Sequence, residues 1–202
     1  MPDRSQRLGT QQPSLTSVDW SKIPAPADDG AMAHLTGTRL PAVALRSTDG
    51  STMTLAAIPG RVVVYGYPMT GQPGVSLPDG WDDLPGARGC TPQSCAFRDH
   101  HAELIAAGAH RTFGLSTQDT AYQTEAAGRL HLPFPLLSDE QLALTTAARF
   151  PTMQVAGRTL IKRFALVLDD GVVTKVFYPV FPPDRNAGDV LAWLLANPKV
   201  AS

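Results

Sequence analysis

The chain has 202 residues, a hydrophobic fraction of 43% and a formal net charge of −1, which together allow one domain with a substantial core. Basic and acidic residues are balanced and no basic cluster occurs, so we expect neither nucleic acid nor an anionic membrane as a partner. No stretch approaches the roughly 18 consecutive apolar residues of a membrane span, and the N-terminal residues lack the apolar run of a secretory signal peptide. We therefore expect a cytoplasmic protein.

The N-terminal part of the chain differs in composition from the rest. Residues 1–30 are polar and rich in proline without a hydrophobic period, so we interpret 1–37 as an extension with Trp20 and Ile23 as anchors on the domain. Residues 38–202 are predicted to form the domain itself.

Short apolar runs predict the first three strands. Residues 41–46 and 52–55 flank an Asp49-Gly50 pair, which is a strong hairpin signal. Residues 61–67 form a continuous run rich in β-branched and aromatic side chains. Such a run is typical of a strand that is buried on both faces at the centre of an α/β sheet.

A long loop, 68–88, follows this strand and is dense in proline and glycine. Structureless loops beyond about 12–15 residues often act as lids or binding loops in compact domains. Its single large aromatic residue, Trp81, is predicted either to form the wall of a pocket or to anchor the loop. We interpret the loop as an insertion that delivers the chain to Cys90.

The second half of the chain alternates between helical and extended patterns. Helices are predicted at 92–107, 120–129 (capped by Asp119), 140–149 and 186–196, strands at 111–115, 134–137, 163–168 and 172–178, and a hairpin at 152–161. This order mixes parallel crossovers with terminal hairpins. The predicted fold class is therefore α/β, with a mixed central β-sheet and helices on both faces.

Both cysteines lie in one stretch, GCTPQSCAFRD (89–99), with four residues between them. Thr91 is predicted to cap a helix there and Pro92 to occupy its first position, so Cys90 would sit just outside the helix N-terminus. Backbone N–H groups and the positive dipole end stabilise an anion at such a place, which favours a reactive thiolate. Cys95 would lie about one turn into the helix. The two thiols are predicted to form a pair in which one attacks and the other resolves.

Two other interpretations of the cysteines stay open. The first is a pair of inert core thiols, because free cysteines are often buried. The second is a zinc site, because Cys90, Cys95, His100 and His101 place four sulfur or nitrogen ligands close together. Against it, adjacent histidines diverge by about 100° on a helix and cannot both face the cysteines. His101 lies on the apolar helix face and is interpreted as partly buried, and His100 as solvated.

The GCTPQSCAFRD stretch resembles the active-site signature of the atypical two-cysteine peroxiredoxins of the PrxQ, or bacterioferritin-comigratory, type. That family has Gly-Cys-Thr, four residues between the cysteines, and Phe-Arg-Asp closely after the second. The segments FGLSTQD (113–119) and FPLLSD (134–139) are similar to further family segments, and RFALVLDDGVV (163–173) also has some peroxiredoxin-5-like character. The resemblance covers roughly residues 38–196 and implies a thioredoxin-like fold.

The resemblance implies roles for three residues. Cys90 would be the peroxidatic cysteine, Cys95 the resolving cysteine, and Arg163 the arginine that helps to hold the thiolate and the peroxide. Arg158 and Lys162 compete for the position of this arginine.

One part of the family signature is missing. The family has a threonine three residues before the peroxidatic cysteine, where this chain has Ala87. We expect the 68–88 insertion to split the motif, so that Thr70 folds back onto Cys90 from before the insertion. Thr91 is the rival for this role, although its hydroxyl is also the predicted helix cap.

The activity that the resemblance implies is thiol-dependent reduction of hydrogen peroxide or organic hydroperoxides. The reductant would be a thioredoxin-like or other dithiol protein, no metal, haem or flavin cofactor is expected, and the family implies a monomer or a homodimer. The alternatives are a thioredoxin-fold disulfide oxidoreductase and a redox sensor. Disulfide oxidoreductases of this fold usually carry Cys-x-x-Cys, which is absent here.

The spacing of the cysteines also predicts a structural change. Five residues along a helix give a rise of about 7.5 Å and turn the side chains about 140° apart. A disulfide needs Cα atoms within about 7 Å and side chains that face each other. The first helical turn must therefore unwind before Cys90 and Cys95 can join.

Overall fold

The computed structural model describes residues 18–199. Within this range the chain forms a seven-stranded mixed sheet and a separate two-stranded hairpin. The strands are β1 Leu45–Ser47, β2 Thr52–Met53, β3 Arg61–Gly66, β4 Arg111–Ser116, β5 Leu136–Ser138, β6 Thr152–Val155, β7 Arg158–Ile161, β8 Phe164–Asp169 and β9 Val172–Phe177. The sheet order is β2-β1-β5-β4-β3-β8-β9, and β6 pairs with β7 in the hairpin.

Helices cover both faces of the sheet. In the described range they are α1 Cys90–Asp99, α2 His101–Ala106, α3 Thr120–Arg129, α4 Ala143–Ala148 and α5 Asn186–Ala196. Side chains of α1, α2 and α5 share one core with the sheet, and side chains of α4 share the other. The predicted mixed sheet with helices on both faces is therefore confirmed. None of the described helices is long and apolar enough to cross a membrane.

Strand β3 lies in the interior of the sheet, beside the middle strand β4, and all six of its residues are buried. It pairs in parallel with β4 on one side and antiparallel with β8 on the other. Because side chains alternate along a strand, Val62 and Val64 enter the core beneath α4, whereas Val63 and Tyr65 enter the core beneath α1 and α5. The continuous apolar run is thus explained by burial on both faces, as predicted.

The N-terminal segment 18–37 packs against the domain. Met32 is 1% exposed and belongs to the core on the α4 side of the sheet. The indole N–H of Trp20 donates a hydrogen bond to Asp184 at 2.7 Å, so this side chain contacts the segment that precedes α5. The rest of the predicted extension, 1–17, lies outside the described residues.

Local turn and cap signals are confirmed. The Asp49-Gly50 turn joins β1 and β2 as an antiparallel pair. Asp119 caps α3, because its carboxylate accepts a hydrogen bond from the backbone N–H of Tyr122 at 2.8 Å. Both features depend on residues that are neighbours in sequence, which is why the pattern alone predicts them.

Candidate active site

Helix α1 carries both cysteines, and its start differs from the prediction. It begins at Cys90 instead of Pro92, and the single predicted helix is divided into α1 and α2 at His100. The N-cap residue is Gly89, in the left-handed conformation with φ of 106°, and its cap has no side-chain hydrogen bond from any described residue. The predicted cap by Thr91 is therefore wrong.

The packing around Gly89 explains this start. A methyl group on Gly89 would lie 2.3 Å from Cγ of Pro183 and 2.7 Å from the ring of Trp20. Only glycine combines this close approach with a positive φ at low cost. The contact fixes Cys90 in the first helical turn, where backbone N–H groups have no helical acceptor and favour negative charge.

Arg163 lies directly beside Cys90. Its Nη2 group donates a hydrogen bond to the Cys90 sulfur at 3.2 Å, and both side chains are buried. Arg163 directly precedes β8, so the central sheet positions it. The sulfur of Cys90 is therefore in direct contact with a buried guanidinium group. The rival cations lie elsewhere, because Arg158 is exposed on β7 and Lys162 pairs with Asp29 at 2.8 Å.

The guanidinium of Arg163 also holds the end of the long loop. Its Nη2 group lies 3.3, 3.2 and 3.1 Å from the carbonyl oxygens of Gly86, Ala87 and Arg88. The carbonyl of Ala87 also accepts a hydrogen bond from the thiol of Cys90 at 3.6 Å. At the position where the family has threonine, this chain therefore contributes a backbone oxygen.

Two further polar residues complete the buried site. Gln93 accepts a hydrogen bond from Nη1 of Arg163 through Oε1 and donates through Nε2 to Asn186 at 2.9 Å. Gln93 and Asn186 are 0% and 1% exposed, so each depends on these partners for its hydrogen bonds. Sequence reasoning missed both residues. Gln93 stands three residues after Cys90, on the same side of the helix, and this spacing was the available signal.

Thr70 lies in a different hydrogen-bond arrangement. Its backbone N–H and its hydroxyl donate to Oε1 of Gln118 at 3.0 and 3.2 Å, and Nε2 of Gln118 donates back to the Thr70 carbonyl at 3.2 Å. Among the described residues no hydrogen bond joins Thr70 to Cys90. The role of Thr70 at the active site stays a prediction, and Thr91 lines the pocket above Cys90.

Cys95 is less buried than Cys90, and both cysteines are free. Burial raises the pKa of the Cys95 thiol, and the nearby Arg98 partly opposes this shift. Cys95 therefore stays protonated to a higher pH than an ordinary cysteine.

One pocket of about 900 Å³ opens onto both cysteines. Helix α1 forms one side of it, and the 68–88 loop forms much of the other. The insertion contributes Met69, Gly71, Gln72, Val75, Leu77 and Trp81 to the lining. The two thiols and the inserted loop thus share a single concave surface.

Comparison with known proteins assigns the family. The Redoxin family model matches residues 35–191. The chloroplastic peroxiredoxin Q of Oryza sativa subsp. japonica is 36% identical over 157 residues, which cover 77% of this chain and 64% of the rice protein. The chloroplastic peroxiredoxin Q of Sedum lineare is 33% identical over 160 residues, which cover 78% of this chain and 76% of that protein. This chain belongs to the peroxiredoxin family.

The fold of this peroxiredoxin agrees with the same assignment. The crystal structure of the peroxidoxin BcpB from Mycobacterium tuberculosis superposes with a TM-score of 0.66 and 27% sequence identity, covering 81% of this chain and 98% of that one. The predicted thioredoxin-like fold is therefore confirmed.

Trp81 takes both of the roles that the sequence left open. It is 4% exposed and packs in a small cluster with Met69, Ala87 and Leu160, so it anchors the 68–88 loop to the β6–β7 hairpin. Trp81 also lines the pocket that opens onto Cys90 and Cys95. One side chain thus ties the inserted segment to the reactive centre.

The zinc interpretation lacks a converging ligand set. In the range 18–199 no three histidine, cysteine or acidic side chains lie close enough together to hold a metal ion. His100 pairs with Glu103 at the surface, whereas His101 packs near Phe134, and burial lowers the pKa of its imidazole. The two adjacent histidines thus lie in different environments, one at the surface and one packed against the core, as the helical geometry predicts.

Proposed function

We propose that this peroxiredoxin is a thiol-dependent peroxidase that reduces hydrogen peroxide and organic hydroperoxides through Cys90. The observation that carries the proposal is the 3.2 Å hydrogen bond from Arg163 to the buried sulfur of Cys90. The same guanidinium is held in place by Gln93 and by three loop carbonyls. A fixed cation beside a nucleophilic sulfur stabilises the charge that develops in the reaction.

The first step is nucleophilic attack by the Cys90 thiolate on the terminal oxygen of the peroxide. The S–O bond forms while the O–O bond breaks, and the sulfur is oxidised by two electrons to a sulfenic acid. The leaving oxygen departs as hydroxide or alkoxide and takes up a proton to become water or an alcohol. Arg163 and the free N–H groups at the start of α1 stabilise this negative charge.

The second step uses Cys95. Its thiol condenses with the sulfenic acid, so that an S–S bond forms and water leaves, which stops further oxidation of Cys90. Because both residues lie in α1, helical geometry separates them by about 7.5 Å along the helix axis and turns their side chains about 140° apart until the first turn unwinds. A thioredoxin-type dithiol protein then reduces the disulfide and becomes a disulfide itself.

Single-turnover peroxide reduction tests this proposal. Wild-type protein, Cys90→Ser and Cys95→Ser are mixed rapidly with hydrogen peroxide, and peroxide loss and sulfenic acid are followed over time. We expect Cys90→Ser to lose reduction almost entirely and Cys95→Ser to consume one equivalent and retain the sulfenic acid. Wild-type consumption by Cys90→Ser would refute the nucleophile, and disulfide exchange without peroxide loss would favour an oxidoreductase.

We also propose that the protein works in the cytoplasm, although the plant relatives named above are chloroplastic proteins. The proposal is supported by the redox cycle, because a cysteine pair that opens and closes needs a reducing compartment. Cell fractionation in the source organism tests the location, and sedimentation analysis of reduced and oxidised protein tests whether a monomer or a homodimer forms.

A further inference from the structure

The 68–88 insertion exposes large aliphatic side chains at the mouth of the Cys90 pocket. Val75 is 55% exposed and Leu77 is 44% exposed, and both line this pocket. Across residues 18–199 the other strongly exposed large apolar side chains are Ile105 and Leu195, on α2 and α5. Half of this exposed apolar set therefore lies at the entrance to the reactive thiol.

The pocket is much larger than hydrogen peroxide requires. Hydrogen peroxide has two heavy atoms and is little larger than water, which occupies about 30 Å³ in the liquid. A volume of about 900 Å³ falls in the range of sites for drug-sized organic molecules. Met69 and Trp81 continue the apolar surface inward from Val75 and Leu77. The organic part of a bound hydroperoxide would therefore contact apolar side chains along its whole length.

The inserted wall is held in position. Arg129 on α3 donates a hydrogen bond to the carbonyl of Gly71 at 2.8 Å. Leu77 folds over this anchored residue, since a Cβ atom on Gly71 would lie 3.4 Å from Cδ2 of Leu77. The apolar surface is therefore formed before a substrate arrives, which reduces the entropy that binding costs.

The polar and charged side chains around the pocket already have ion-pair or hydrogen-bond partners. Arg88 pairs with Asp82 at 2.8 Å, and Arg129 pairs with Glu125 at 2.7 Å. Asp99, His100 and Asp184 bond to Arg98, Glu103 and Trp20 respectively. A substrate carboxylate would have to compete with these partners and would lose its hydration, so recognition falls to the apolar surface.

We infer that the insertion makes this enzyme select uncharged, bulky organic hydroperoxides over hydrogen peroxide, with Val75 and Leu77 as specificity-determining residues. The inference rests on the proposed peroxidase function. The apolar group of the hydroperoxide packs against Val75 and Leu77 while its terminal oxygen reaches Cys90. Sulfur gains that oxygen as sulfenic acid, the O–O bond breaks, and the alkoxide leaves through the pocket as the alcohol.

The test measures the oxidative half-reaction alone, by rapid mixing of reduced protein with cumene hydroperoxide or hydrogen peroxide. We compare wild type with the double variant Val75→Ser/Leu77→Ser. The matched control is Ile105→Ser/Leu195→Ser, which removes two similarly exposed apolar side chains that do not line the pocket. The ratio of kcat/KM for cumene hydroperoxide to that for hydrogen peroxide should fall about tenfold in the first variant only, because partly burying two aliphatic side chains contributes on that order.

The second part of the test uses a charged substrate. Cumene hydroperoxide with a para carboxylate has nearly the same size, and the wild-type protein should reduce it at least about threefold more slowly than the parent compound, because the carboxylate loses hydration in an apolar pocket. Faster reduction of the carboxylate would contradict the charge argument and overturn the inference.

The other outcomes are equally decisive. An unchanged ratio, or an equal loss with both peroxides, overturns the specificity role. A defect seen only when a dithiol protein reduces the disulfide means that Val75 and Leu77 contact the reductant instead. If wild-type protein reduces neither peroxide, or Cys90→Ser still reduces both, the peroxidase proposal itself has failed, which is a different result.

Discussion

The buried floor of the pocket and its exposed rim are built in different ways. The floor consists of Cys90, which lines the pocket, and of Gln93, Arg163 and Asn186 behind it; all four are at most 3% exposed and are joined by hydrogen bonds. The rim is the 71–77 segment of the insertion, which contains no helix or strand. The floor thus fixes the reacting atoms through hydrogen bonds between several elements, whereas the rim is a loop that Arg129 ties to α3 through the carbonyl of Gly71.

The largest expected effect comes from removing the cation of the floor. Arg163→Met should lower kcat/KM for hydrogen peroxide by about 10²–10³-fold, as the loss of one preorganised charge-stabilising donor does elsewhere. Arg158→Met is the matched control, because Arg158 lies exposed on the β6–β7 hairpin, and it should stay within about twofold of wild type. Rapid-mixing kinetics and circular dichroism of each variant provide the measurement.

The conservative variant Arg163→Lys separates charge from geometry. Lysine keeps the positive charge but cannot reproduce the bonds that the guanidinium makes to the sulfur and to three loop carbonyls. We expect a rate between those of Arg163→Met and wild type. If Arg163→Met folds normally and reacts within about threefold of wild type, peroxide reduction at Cys90 does not depend on this cation. The comparison between floor and rim would then be wrong.

A second prediction applies one substitution to both regions. Gly89→Ala should destabilise the protein by about 3 kcal/mol, because it combines a left-handed backbone with overlaps against Pro183 and Trp20. Gly74→Ala on the rim has φ of 77° but no atom within 4 Å of the new methyl group. It should cost only the backbone strain, about 1 kcal/mol.

Urea unfolding of the two variants measures this difference. The Gly89→Ala protein should also show slower peroxide reduction, since the methyl group displaces the residue next to Cys90. Equal losses of stability in the two proteins would mean that packing at the floor is no tighter than at the rim.

The elements that sequence alone predicts best depend on neighbours along the chain. Helix α3 runs from Thr120 to Arg129 as predicted, because the Asp119 cap and the helical period are both local signals. The predicted start of α1 was wrong because the true start depends on distant parts of the chain. Pro183 and Trp20 pack against Gly89 and place the first helical residue at Cys90. A local cap signal such as Thr91-Pro92 does not determine where a helix begins when tertiary packing favours another residue.

The same distinction applies to the site. The family resemblance predicted that Arg163 acts on the sulfur of Cys90. The structure places the two side chains in contact although they are 73 residues apart in sequence. Asn186 carried no such signal, because its partner Gln93 is 93 positions away and neither residue is reactive. Supporting residues of this kind are visible only once the fold has been built.

The smallest expected effect concerns the proton on Cys95, which lies between floor and rim. In Cys90→Ser protein Cys95 is the single cysteine, so alkylation with iodoacetamide reports its thiolate fraction. Burial raises the pKa of Cys95, so the thiolate should appear at higher pH in the folded protein than in urea. The alkylation midpoint should therefore shift upward on folding.

Arg98→Gln extends this measurement, because Arg98 is the nearby cation that partly offsets burial. Its loss should move the midpoint still higher, whereas Asp99→Asn should move it down, because the Asp99 carboxylate opposes the thiolate. A midpoint that is the same in folded and unfolded protein would place Cys95 in full contact with water.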